Sequence, residues 1–488
     1  MKKIFLFSIF HLIFLTSFGQ VTTRIEYPSN GRDYVIKTSR NHKLMVLSTL
    51  KDDNNLDVKT DFYDENLKFI NTSTVFLEKS ELIGSNVSKN GDNFFIYSNS
   101  KDYLAILKIL SDSNKTEISE YHYKVPKNIF IPIIYENKLF YTTQEDNKYE
   151  FYIFDLQTQN NIHVVNPTLV QNRTNLIIYS IETEVYGCKI YYGNINDLKK
   201  LSAVSYDFNG NEIEKYTVNL NTEYVIENFN IKKKGDKEIL YGTYMIDSRA
   251  SGSNGIFIGE IEHEKLNYLH FINYLDIPSY VSEFSEKEQE AIKRKKENAS
   301  KKEKEIYTDL YGRSVDLFTT KQGNIIKFEK NSVVVSKYGE RTFYPTQTFA
   351  VMFDNNGEEI WDNVIRIQDE NVGLSILKND YEDMAIQNQS IFQFTKGLVN
   401  NDSTFTMAWI KYNYIKYKIF DLKTGELLKD KNMFRINPEE DKSPSLIKRA
   451  LSNTPKLNGW YDYFFTIRSE EKNNDGDKIL YFEKIELK

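Results

Sequence analysis

Cysteine is almost absent: the chain holds one, Cys188. A single thiol cannot close an internal disulfide, so stability has to come from a buried core. Cys188 sits in the apolar run "VYGCKIYYG" and reads as a buried strand position rather than a reactive thiol. Histidine is scarce too. None of the six forms an H-x-x-x-H or H-E-x-x-H pair, so no metal ligand set is indicated. The acid-rich turns at 51–57 and 473–478 lack the ligand order and closing glutamate of a calcium loop. Excess positive charge is missing, with 63 Lys+Arg against 69 Asp+Glu, which argues against a nucleic-acid binder. Beyond the N-terminus no run approaches the roughly 20 apolar residues of a membrane span. There is no G-x-S-x-G elbow, no G-x-x-x-x-G-K-S/T loop and no G-x-G-x-x-G turn. No catalytic residue and no cofactor is therefore indicated.

Aromatics are plentiful instead: 34 Tyr and 32 Phe against 9 Pro. Such residues suit half-buried pleated surfaces. Short strand-like runs follow one another without intervening helices, among them "HKLMVLSTL", "DNFFIYSNS", "YEFYIFDL" and "CKIYYGNI". An acid recurs just after one strand of each group, at Asp64, Asp112, Asp155, Asp207, Glu262, Asp354, Asp421 and Glu486. Most of these marks lie about 43 to 67 residues apart, and the one longer gap contains a charged insertion at 279–312. Four strands per unit at such a period predict an all-β fold, a β-propeller of seven or eight four-stranded blades. Eight marks favour eight blades; the last module shows only two clear strands of its own, which keeps seven open. Sequences such as Asp207-Phe208-Asn209-Gly210 cap their own backbone and tolerate left-handed φ, so the aspartates are expected to form hairpin turns. The short strand "TTRIEYP" near the N-terminus is expected to complete the last blade, covering an otherwise open sheet edge.

Residues 1–19 carry a positive start (Lys2, Lys3), an apolar run and small residues at Ser17 and Gly19, the pattern of a secretory signal peptide. Residues 20–488 are then expected to form a single propeller domain. Within the insertion, Ser285-Glu286-Lys287-Glu288 reads as a capping box opening a helix to about Lys304. Its few apolar residues predict a solvated, projecting helix, removable over about 284–308 with little loss of stability. Lys293, Arg294, Lys295 and Lys296 form the one run of adjacent cations that could contact a partner. A second short helix is expected over about 443–452, capped by Ser443. Trp361 and Trp409 fall within strand runs and are expected to pack between blades rather than to stack on a sugar.

The stretch "GTYMIDSRASGSNGIFIGEIEHEKLNYLHFINYLDI", the lysine-rich "SEKEQEAIKRKKENASKKEKE" and "FAVMFDNNGEEIWDNVIRI" follow one another in an order that resembles a family of uncharacterised exported β-propeller-like proteins of Bacteroidota. The resemblance is best over about 240–370. It implies the periplasm or cell surface and no particular activity. The function expected is that of a non-enzymatic binding or scaffold propeller with a protein or glycan partner in the cell envelope. A carbohydrate-active hydrolase or lyase, with carboxylates at the propeller funnel, is the alternative.

Overall fold

The computed structural model describes residues 24–487 apart from several connecting stretches, the longest at 165–175, 302–310, 367–394 and 436–455. The proposed signal peptide, the helix at 443–452, Asp112 and most of 473–478 lie outside the described residues. The strands assemble into eight four-stranded antiparallel sheets, the blades of a β-propeller. In chain order the blades span 33–78, 81–122, 129–164, 176–219, 225–273, 311–366, 395–435 and 456–486. The strand Arg24–Pro28 joins the eighth as its outermost member. Eight blades, not seven, are present: the last module's missing outer strand comes from the N-terminal region.

Contact density groups the chain into two units. One covers 30–242 with 258–269 and holds blades one to four; the other covers 1–29, 243–257 and 270–488 and holds blades six to eight. Blade five contributes residues to both. In the first unit, one apolar cluster joins blades one and two (Leu47, Val58, Phe95, Leu107) and another joins blades three and four (Phe140, Ile153, Ile190, Val204). The second unit repeats the arrangement, with Met352, Trp361, Phe405 and Trp409 between blades six and seven. A blade's second strand is covered on both faces, so it reads as an unbroken apolar run; all six residues of Asn93–Ser98 are buried. Outer strands alternate instead, as Phe69–Glu78 shows. Cys188 is fully buried, and burial pushes its thiol far above the usual range. The indole N–H of Trp361 donates to the Leu422 carbonyl at 2.9 Å, so Trp361 joins neighbouring blades.

The seven described acid marks all end or directly follow the third strand of a blade. In blades one, three, four, six and seven the aspartate Oδ1 accepts backbone N–H groups of the turn. Asp64 takes Asn66 and Lys68, both at 2.8 Å. Asp354 takes Asn356 at 2.7 Å and Glu358 at 2.9 Å. Each turn then reverses through a left-handed residue, such as Gly210 (φ 81°) or Gly357 (φ 83°). Burial works against the ionised form of Asp155, yet the Lys138 ammonium and the N–H groups of Thr158 and Gln157 outweigh it and hold its carboxyl at about 2.

A feature not visible from spacing follows four of these turns. Strand pairing slips by one residue, leaving Ile70, Ile213, Ile360 and Leu428 as the extra residue of a β-bulge. All four are exposed apolar side chains.

The closing strand is held along its whole length. Arg24 stands opposite Glu483 and Pro28 opposite Ile479. Tyr27 is buried and meets the Phe482 ring edge-on at 5.7 Å. Deleting residues 22–27 is expected to lower the midpoint of thermal unfolding, followed by circular dichroism, by several degrees, corresponding to about 1–3 kcal/mol. An unchanged melting curve would show that this strand does not stabilise the eighth blade.

Candidate functional site

The insertion after blade five is the part of the chain that the repeat does not require. A 3-10 turn (Tyr274–Asp276) leads into a short helix α1 (Pro278–Ser282) and then a longer helix α2 (Glu286–Ser300). Asn273 caps the 3-10 turn by accepting from the Leu275 N–H at 3.0 Å. Pro278 sits in the first turn of α1, where its missing N–H costs nothing. The expected capping box opens α2: Ser285 Oγ accepts from the Glu288 N–H, and the Glu288 carboxylate accepts from the Ser285 N–H at 2.9 Å.

The base of the insertion is packed, not solvated. Tyr274, Leu275, Ile277 and Tyr280 are buried. Tyr274 lies 5.0 Å from the Phe328 ring, and Tyr280 meets Phe349 edge-on at 5.2 Å, both on blade six. Two polar links fasten the same base to that blade's outer strand, Glu359–Arg366. Asp362 Oδ1 accepts the Ser279 N–H at 2.7 Å, satisfying a helix-end donor that no local side chain caps. Arg366 pairs with Glu283 at 3.2 Å.

Helix α2 contains no buried residue, but it is not free of the protein. Gln289, Ile292, Lys296 and Ala299 are half-buried and fall at helical spacing on one stripe. Gln289 Nε2 donates to the Phe284 carbonyl at 2.7 Å. Lys296 Nζ donates to the Leu275 carbonyl at 2.6 Å and pairs with Asp276 at 2.7 Å. The expectation of a helix projecting into solvent is thus revised: its N-terminal two-thirds lies on its own base.

The four cations singled out by sequence divide accordingly. Lys296 faces inward and is engaged. Arg294 pairs with Glu290 one turn earlier, at 3.1 Å. Lys293 and Lys295 are exposed and make no ion pair among the described residues. The outward cationic surface therefore centres on Arg294, opposite the inward stripe, with Lys293 and Lys295 about 100° to either side of it.

Beneath the insertion lies a set of carboxylates that spacing did not suggest. Glu359 and Asp362 are three apart, and a regular strand would send them to opposite faces. The bulge at Ile360 removes one step, because Phe353 faces Glu359 while Met352 already faces Trp361. Both acids consequently come to one side and share a hydrogen bond. Glu359 is exposed on the strand, yet partial desolvation, then the charge of Asp362, and lastly that of Asp276 push its carboxyl up to about 7. Glu359 therefore gains or loses its proton near neutrality. The available signal was the Asp354 turn, since similar turns elsewhere in the chain also precede a bulge.

A buried ion pair between blades four and five is internally satisfied. Lys189, on the second strand of blade four, reaches Glu238 of blade five at 2.8 Å, and the Tyr216 hydroxyl donates to the same carboxylate. Lys189 also stands 4.7 Å from the Tyr216 ring centre. The arrangement staples two blades.

No protein-family model matches the sequence, and no curated protein matches it. Among solved structures the chain is similar to a prolyl endopeptidase, with 11% identity and a TM-score of 0.41, over 93% of this chain and 54% of that one. It thus spans about half the length of that enzyme. It is also similar to the WD40 domain of SCAP from fission yeast (10% identity, TM-score 0.39, 94% and 98% covered). A third is a quinohemoprotein alcohol dehydrogenase from Pseudomonas putida (8% identity, TM-score 0.42, 94% and 75% covered). Likenesses this distant carry no functional information.

The two parts of the insertion should differ in what they contribute. Tyr280→Ala removes a buried ring and is expected to cost about 3 kcal/mol or more. Replacing Ser285–Ser300 by a short Gly/Ser linker loses surface-grade contacts and is expected to cost about 1 kcal/mol or less. Denaturant unfolding of both variants checks the contrast; equal losses would overturn the division into packed base and surface helix.

Proposed function

We propose that the protein is an exported, non-enzymatic β-propeller that binds a partner protein or glycan in the cell envelope. The observation that carries this reading is the way α2 is held. A helix with no buried residue adds little to the core, yet polar contacts at Gln289 and Lys296 fix its orientation. Fixing one face presents the other, with Arg294 outermost and Lys293 and Lys295 on its two flanks, at reduced entropic cost to a binding event. The propeller fold suits a binding or scaffold role, although fold alone does not decide function. Export and the cell-envelope setting belong to this proposal and rest on the pattern of residues 1–19 and on the resemblance described above.

With a formal net charge of −6, contact with an anionic partner has to be local. Attraction through two exposed lysines is screened and salt-sensitive. Lys293→Glu combined with Lys295→Glu is expected to reduce capture of envelope partners by the immobilised protein severalfold, with melting unchanged. Capture that is undiminished would remove α2 from the binding surface.

The hydrolase or lyase reading has one observation in its favour, the proton-sharing pair Glu359 and Asp362. A carboxyl kept protonated near neutrality beside a carboxylate can serve as a general acid. The pair stands on an outer strand against the insertion base, however, not at the funnel where that reading expects it. Cleavage of a glycan panel by the unmodified protein, abolished by Glu359→Gln, would establish this alternative in place of the binding role.

A further inference from the structure

Three carboxylates from two elements meet where the insertion joins blade six. Glu359 and Asp362 come from the outer strand, brought to one side by the bulge at Ile360. Asp276 comes from the 3-10 turn at the insertion base. Asp362 holds the Ser279 N–H, and Asp276 holds Lys296 of α2. Of these acids Asp362 fastens the insertion base to blade six and Asp276 holds α2 onto that base, with Glu359 beside both. We propose that Glu359 and Asp362 form a proton-dependent latch that fastens the helical insertion to blade six.

The surrounding charges set its direction. On the outer strand Glu359 has Asp362 as its hydrogen-bonded neighbour, and from the 3-10 turn it meets Asp276. Farther along that strand Arg366 engages Glu283 of the insertion. Lys296 lies against Asp276 and the Leu275 carbonyl, and it is not among the groups that act on Glu359. His270, on the last strand of blade five, stands 3.9 Å from Glu358. With a proton on Glu359, the pair is joined by one hydrogen bond and carries one charge. Loss of that proton to water adds a second negative charge to the pair, facing Asp276.

The carboxyl is raised from its ordinary 4.5 to about 7 by partial desolvation and by neighbours, and Asp276 faces it only while the insertion is docked. The docked state thus binds the proton more tightly than the undocked one. Docking is then strongest at acidic pH, weakens as the pH rises toward about 7, and reaches its floor above that.

Hydrogen exchange of the full chain tests this, with exposure times scaled to the intrinsic rate at each pH. Between about pH 5.5 and about pH 8.5, protection over 278–284 is expected to fall about threefold or more, while blade-one strands keep theirs. His270→Gln should show the same fall, and Glu359→Gln should show none. Flat protection in the wild type overturns the proposal, as does an equal fall in blade one or a fall retained in Glu359→Gln. Should Glu359→Gln fail to fold, Asp276→Asn provides the second test: the midpoint must move to lower pH, and an unmoved midpoint overturns the latch.

Discussion

A four-stranded blade with two apolar faces cannot bury either of them alone. Its inner-lying strands, such as Asn93–Ser98, are apolar on both sides and need a neighbour on each. That constraint explains why the core is divided into clusters lying between blades, with Phe95 and Leu47 in one and Phe405 and Met352 in another. It also explains the tyrosines. Deeply buried rings such as Tyr141 and Tyr206 fill wide inter-blade gaps, while hydroxyls that reach a partner, such as Tyr216 at Glu238, stay satisfied. The eighth blade shares the constraint at its outer edge, where Arg24–Pro28 supplies a strand that the C-terminal segment lacks.

What could be read from the residues was whatever the local chain decides by itself. An aspartate that accepts N–H groups two to four residues on acts within its own turn, so Asp64, Asp207 and Asp354 mark hairpins wherever they fall. The bulges were not legible, because they reflect how a turn's geometry meets the register of two strands. Missing them hid the carboxylate constellation at the insertion base. Glu359 and Asp362 look like opposite-facing strand residues until the extra residue at Ile360 is counted.

The insertion was legible in one part and misread in another. Its capping box is local and formed as expected around Ser285. Its docking is tertiary, set by Tyr280 against Phe349 and by Lys296 turning back to Leu275. A run of four cations in sequence covers more than half the circumference of a helix, since successive residues advance by about 100°. Such a run cannot all face one partner. Lys296 belongs to the inward stripe for that geometric reason, and a four-residue basic motif becomes a smaller outward surface.

This division of one short helix bears on how stability is distributed. The buried base couples to blade six through aromatic packing, whereas α2 is tied down by hydrogen bonds and one half-exposed ion pair, each of modest net strength. Elements held in this way open at lower free energy than the sheets that carry them. A carboxylate pair placed between the rigid strand and the insertion base therefore acts where a small change in charge has the largest effect. The same proton buried between two blades would meet contacts too numerous for it to shift.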